Sequence, residues 1–180
     1  MPDTELHALA RAAARGDRPA LDELLRRAQP KALAVCSRML PCRQDAEEAC
    51  QDTLVQVATK ITTFQANAQF TTWLHAVASN SARMTYRRLR RHAEQVTDTP
   101  PATEPADPRR TSVIAGTRLD LLEAVERLER ESPDAVPPFV LRDLSGLSYQ
   151  EIADYLALPI GNVKERIHRA RKRIRIYLAQ

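Results

Sequence analysis

A chain of 180 residues with 4 glycines, 43% hydrophobic and only 4% aromatic side chains has room for one domain or two small ones, each with little core to spare. Ala, Leu, Arg and Glu dominate and no segment alternates apolar and polar residues for long enough to read as a strand, so the fold class expected is all-α. The formal charge of +4 is modest for a nucleic-acid binder, which makes the placement of the charges more informative than their sum. No window approaches the eighteen or so apolar residues of a membrane span, and Asp3 and Glu5 do not make the basic start of a signal peptide. Membrane insertion is therefore not expected, and the cytosol is the expected location. Cys36, Cys42 and Cys50 are odd in number and lack C-x-x-C spacing. They read as buried thiols rather than a disulfide framework or a metal site, with Cys36 free to approach Cys42 or Cys50.

In chain order, Leu6, Leu9, Ala10 and Ala13 predict a first helix that Gly16 ends. Arg18 to Met39 carries Leu21, Leu24, Leu25, Leu33 and Val35, with a break expected at Pro30. Helices over Asp45 to Ile61 and Thr71 to Arg91 complete a four-helix N-terminal domain, residues 1–92. Trp73, beside Leu74 and Val77, is expected in its core. Arg83, Arg87, Arg88, Arg90 and Arg91 form a basic cluster suited to phosphates, which supplies affinity without sequence information.

From Ala93 to Ser112 the pattern gives way to prolines, threonines and acids that cannot hold a core, so 93–115 is expected to be a flexible linker to a second domain, 116–180. Pro137 and Pro138 delay the helix there to about Pro138 or Phe139. Ser148 and Glu151 have capping-box spacing, which starts a helix near Tyr149. Ile152, Ala153 and Leu156 are its apolar face, and Pro159 suits the start of the next helix. In that last helix Val163, Ile167, Ala170, Ile174 and Leu178 form the apolar stripe, leaving Asn162, Lys164, Glu165, His168, Arg169 and Lys172 on other faces. Seven Lys or Arg against one Glu after Pro159 favour a helix-turn-helix reading duplex DNA over a merely solvated basic helix.

The wording GLSYQEIADYLALPIGNVKERIHRARKRIRIYL resembles region 4 of bacterial sigma factors of the extracytoplasmic-function (ECF) group. It departs from that pattern at Ala157, Asn162 and Glu165. The segment from Asp45 to Arg91 resembles sigma region 2, through Asp45, Ala46, Glu47, Gln51, Phe64, Phe70, Trp73, Leu74, Asn80, Arg87 and Arg88, with departures at Leu54, Ala58 and Met84. The resemblance implies a factor that holds core RNA polymerase, reads a minus-thirty-five element as duplex and captures the minus-ten element as a melted strand. It implies docking on the polymerase clamp helices through Asp45, Glu47, Glu48, Gln51 and Asp52. The loop Gln65 to Gln69 is implied as the receiver of a flipped base, with Asn67 and Gln69 as readers, Asn80 contacting the strand, and Arg83, Arg87 and Arg88 on phosphates. In the last helix Lys164, Glu165, His168 and Arg169 are the expected base readers, Arg166, Arg171, Lys172 and Arg173 the phosphate contacts, and Asn162 stands with them at the helix start. Glu165 can accept from a cytosine amine. An anti-sigma factor that holds the protein inactive, and at times at the membrane, is implied as a further partner.

Two rivals belong to other classes. A homodimeric helix-turn-helix regulator would explain the last helix but not the cluster around Arg87. An enzyme would need a site, and His7, His75, His92 and His168 are scattered with no nucleophile, phosphate-loop or metal motif around them. No catalytic residue, metal or cofactor is expected.

Overall fold

The computed structural model describes residues 2–64, 68–96 and 113–179, and every regular element among them is helical. Helices α1 (Pro2–Ala14), α2 (Arg18–Met39), α3 (Arg43–Lys60) and α4 (Phe70–Val96) make the N-terminal bundle. Its core alternates large side chains such as Leu24, Phe70 and Leu74 with Ala28, Ala32, Ala46, Ala49, Ala78 and Ala82, and these small residues let the helices approach closely. Gly16, at φ 96°, ends α1, and the Asp17 side chain caps α2 by accepting from the Ala20 N–H at 3.0 Å.

The break expected at Pro30 does not occur, since α2 runs through it. A proline inside a helix removes one N–H and crowds the preceding turn at a cost of about 3 kcal/mol. Here Leu24, Ala28, Ala32, Val35, Cys36 and Met39 are buried along the same helix on both sides of Pro30, and that packing holds the helix continuous. Cys36 and Cys50 are buried free thiols close enough to influence each other, and Cys42 is half-buried and also free. Burial pushes the Cys36 thiol up to about 12, and Cys50 is raised for the same reason, so neither is a reactive thiolate.

The C-terminal segment contains α5 (Val113–Glu131), a 3-10 turn (Pro133–Ala135), α6 (Val136–Phe139), a π-helical turn (Val140–Leu144), α7 (Tyr149–Leu156) and α8 (Ile160–Leu178). The helix entered at Val136 begins two residues before the expected start, because Pro137 and Pro138 both fit in its first turn, where no N–H is needed. Gly146, at φ 78°, turns the chain out of the π turn. Of the expected linker, residues 97–112 lie outside the described residues. Helix extends into it from both ends, α4 to Val96 and α5 from Val113.

The two segments pack on each other. Leu122, Val125 and Leu128 of α5, Val136 and Phe139 of α6, and Ala170 and Ile174 of α8 belong to the same buried cluster as the N-terminal bundle. A second cluster of Leu141, Leu147, Ile152, Ala153, Val163 and Ile167 forms the core of the helix-turn-helix, with Ala76 of α4 packed against it. Beside it Ser79 and Ser145 share a buried hydroxyl contact of 2.8 Å.

Candidate nucleic-acid interface

The expected cap of α7 is present in full: the Glu151 N–H donates to Ser148 Oγ at 3.2 Å, and the Ser148 N–H donates to Glu151 Oε2 at 2.8 Å. The turn into α8 then passes through Ala157 at φ 51°, a left-handed conformation that glycine adopts at less cost. Pro159 is the N-cap of α8, so the helix begins at the expected place.

At 100° per residue, the buried row Val163, Ile167, Ala170 and Ile174 lies opposite Gly161, Glu165, His168 and Lys172. Those four, with Asn162, are exposed, and among the described residues no side chain pairs with Glu165, His168 or Lys172. The flanks of the helix differ from this outward row. On one side Arg169 donates to Asp134 Oδ2 at 2.6 Å, Arg166 lies 3.5 Å from the same oxygen, and Arg173 lies 3.5 Å from Glu131. On the other side Arg171 grips Asp143 with two bonds of 2.6 and 2.8 Å, which holds its guanidinium charged more firmly than usual. Lys164 lies 5.8 Å over the Tyr149 ring. The expected set is thus divided: Asn162, Glu165, His168 and Lys172 point outward, while Arg166, Arg169, Arg171 and Arg173 are aimed by carboxylates of the preceding turns.

The basic cluster of α4 is engaged more fully. Arg83 meets Glu129 at 2.5 Å, Arg87 pairs with Glu129 and with Glu126 at 3.1 Å, and Arg90 reaches Glu126 at 3.2 Å and Glu123 at 3.3 Å. Arg83 is only 12% exposed, and its buried Nε finds no acceptor among the described residues. Arg88 instead pairs with Glu48 of α3 at 2.7 Å. The acidic face of α3 is open at Gln51 and Asp52, Asp45 is half-buried, and Glu47 accepts from Arg43 at 2.7 Å.

Asn67 lies outside the described residues, as do Gln65 and Ala66. The ends of their loop are held by an aromatic group: Phe64, Phe70 and Trp73 sit with ring centroids 5.7 Å apart, and His7 stacks edge-on to Phe64. His7 Nδ1 also accepts from the Phe70 N–H at 3.3 Å, satisfying an otherwise unpaired donor at the start of α4. Trp73 is half-buried in this group, Gln69 is exposed at its edge and Asn80 is exposed on α4. Sequence reasoning missed His7, for which no local signal exists. It also missed the carboxylates Glu123, Glu126 and Glu129, although their three-residue spacing alternates with the buried Leu122, Val125 and Leu128 in a legible amphipathic pattern. Among the described residues no group of three or more His, Cys, Asp or Glu is arranged to hold a metal ion, and no helix is long and apolar enough to cross a membrane.

Comparison with known proteins covers both segments. Residues 24–92 match the family model Sigma-70 region 2, and residues 118–174 match Sigma-70, region 4. The ECF RNA polymerase sigma factor SigE of Mycolicibacterium smegmatis is 33% identical over 90% of this chain, which spans 63% of that protein's length. The ECF RNA polymerase sigma factor SigW of Bacillus subtilis is 29% identical over 89% of this chain and 90% of its own. Among solved structures, CnrH in complex with the cytosolic domain of CnrY superposes with a TM-score of 0.53 at 24% identity, covering 99% of this chain and 98% of CnrH, a likeness of fold. With both regions present in order, each built on the helices described above, the chain belongs to the RNA polymerase sigma factor family, in its extracytoplasmic-function group.

Proposed function

We propose that this chain binds core RNA polymerase and directs it to two-part promoters. The observation that carries the proposal is the outward row of α8, which a capped helix and tight turn present to solvent while the opposite row is buried. In this reading Glu165 and His168 meet base edges of the minus-thirty-five duplex with Lys164 and Arg169 beside them. Lys172, Arg166, Arg171 and Arg173 hold phosphates, and Asn162 lies at the helix start near the backbone. Residues 1–92 and 116–180 act as the two reading domains, with 93–115 as the linker. Gln69, Asn67 and Asn80 face the melted minus-ten strand, with Arg83, Arg87 and Arg88 on its phosphates. Asp45, Glu47, Glu48, Gln51 and Asp52 dock on the polymerase. The chemistry of RNA synthesis belongs to the polymerase, and the chain supplies recognition alone. It works in the cytosol and is restrained there by an anti-sigma factor.

Run-off transcription with core polymerase over a pool of genomic promoters tests this. The expected result is initiation at a subset sharing two spaced elements. A pool in which added protein changes nothing contradicts the proposal, as does a stable homodimer that binds palindromes without polymerase.

A further inference from the structure

We propose that one flank of α1 is a second holder of the melted strand: Arg11 and Arg15 take its phosphates on the side of the base-capturing loop opposite to the arginines of α4. The inference rests on the proposed role of that loop and adds two binding residues to it. Contacts between the helices fix where these side chains stand. Asp3 lies 3.1 Å from Lys31 and Glu5 2.7 Å from Arg27, so α1 runs antiparallel to α2. His7 of α1 meets Phe64 and Phe70, the two ends of the loop, which sets it level with the start of α4. Farther along α2, Cys36 Sγ donates to the Ala78 carbonyl at 3.8 Å, so α2 runs parallel to α4 and α1 antiparallel to both. Every residue after His7 therefore carries α1 past the start of α4. Arg83 lies the other way, about 20 Å up the axis of α4 from Phe70. Arg11 is one turn beyond His7 and rotated from it by about 40°, on the same flank, and Arg15 follows about 6 Å farther along the axis. The Arg15 N–H donates to the Ala12 carbonyl at 3.0 Å, which holds it to the end of α1.

Charge singles out this flank. Both acids of α1 are engaged with α2, and Asp17 beyond it accepts from the Ala20 N–H at 3.0 Å. Arg11 and Arg15 are exposed, and among the described residues no carboxylate pairs with either. Thr4 and Ala8, exposed on the same face, are too small to hold a polynucleotide off the surface. A free guanidinium meets a phosphate with two parallel N–H bonds. Holding the strand on both sides of a flipped base fixes where that base enters, while adding no sequence information of its own. Cations in the last turn of a helix also complement its dipole, an effect on stability that the test reads separately.

The test uses core polymerase carrying the full chain, with single-stranded oligonucleotides taken from a promoter on which it initiates. One probe ends at the minus-ten element, and two others continue past it, one on each side. Fluorescence anisotropy reads binding over a range of salt, and thermal unfolding reads the fold. Arg11→Ala with Arg15→Ala is expected to bind one extended probe about tenfold more weakly and to flatten its log–log salt slope by about 1.4, as loss of two single-strand phosphate contacts does. The short probe and the other extension should bind as they do to the parent, and Arg11→Lys with Arg15→Lys should keep most of the affinity. Arg87→Ala should weaken the opposite extension, and a loss on the same extension contradicts the placement. If the double alanine variant binds both extended probes as the parent does, or weakens all three equally through poorer binding to polymerase, the flank holds no strand and the proposal is overturned. If the parent binds a scrambled minus-ten probe as tightly as the true one, the reading of the loop fails first, and the second holder falls with it.

Discussion

The molecule carries two basic helices, and carboxylates treat them in opposite ways. On α8 the acids Asp134, Asp143 and Glu131 come from the helix's own segment and grip its flanks, leaving Glu165, His168 and Lys172 unobstructed. On α4 the acids come from the other segment and lie across the cluster itself. The same ion pair therefore sets a side chain in place in one region and covers a surface in the other, and counting arginines in the sequence cannot distinguish the two. The α8 pairs are mostly exposed, a class worth about 0.2–1 kcal/mol each, whereas the α4 pairs are partly buried, with Arg83 12% and Glu126 18% exposed, and a competing polyanion would have to replace them charge for charge.

The largest expected effect tests whether the cover depends on the apolar core below it. Leu128 is fully buried in the cluster shared by both segments, and Leu128→Ala should cost about 2–5 kcal/mol of stability in chemical denaturation. If the cost is under about 1 kcal/mol, well below the usual cavity range, then α5 is not seated as described. A smaller effect sharpens the α8 side. Glu165→Ser should relax preference at one base pair of a randomised minus-thirty-five element by about 1–3 kcal/mol. Lys172→Ala should weaken all duplexes about equally and flatten the salt dependence. An unchanged preference in the Glu165 variant would move the reading face elsewhere on the helix.

The smallest effect separates the salt-sensitive side of the interface from its neutral side. His75 of α4 is held below its ordinary pKa first by burial and then by Arg38 and Lys31 of α2, against the opposing pull of the Ser145 backbone and Glu151 of α7. Its Nδ1 is buried and finds no partner among the described residues. With the folded pKa depressed, the unfolded chain binds the extra proton first, so this contribution is intact above the ordinary histidine value and is lost as pH falls below about 6.5. Stability followed by denaturation should decline over that window, and His75→Gln should flatten the decline. An equal decline in the variant would assign it to other groups.

How much of this was legible follows from the range of the interactions involved. The cap at Ser148 and Glu151, the start of α8 and its buried stripe depend on residues three or four apart, and they stand where the spacing put them. Pro30 misled because the packing that keeps α2 whole comes from other helices. The division of the α8 arginines was hidden for the same reason: Asp134 and Asp143 lie 28 to 35 positions earlier in the sequence than the side chains they hold. The cover on α4 was hidden more deeply, because Glu126 and Glu129 reach it from beyond the proline-rich stretch, and only the fold brings them to Arg87.

The most direct test of the contrast is to titrate the free chain, and then the chain with core polymerase, against promoter duplex and against the single minus-ten strand over a range of salt. The free chain should bind duplex with a steep salt dependence and leave the single strand unbound until polymerase is added. A free chain that holds the single strand as tightly as the polymerase complex does would show α4 to be open from the start, and would contradict the account.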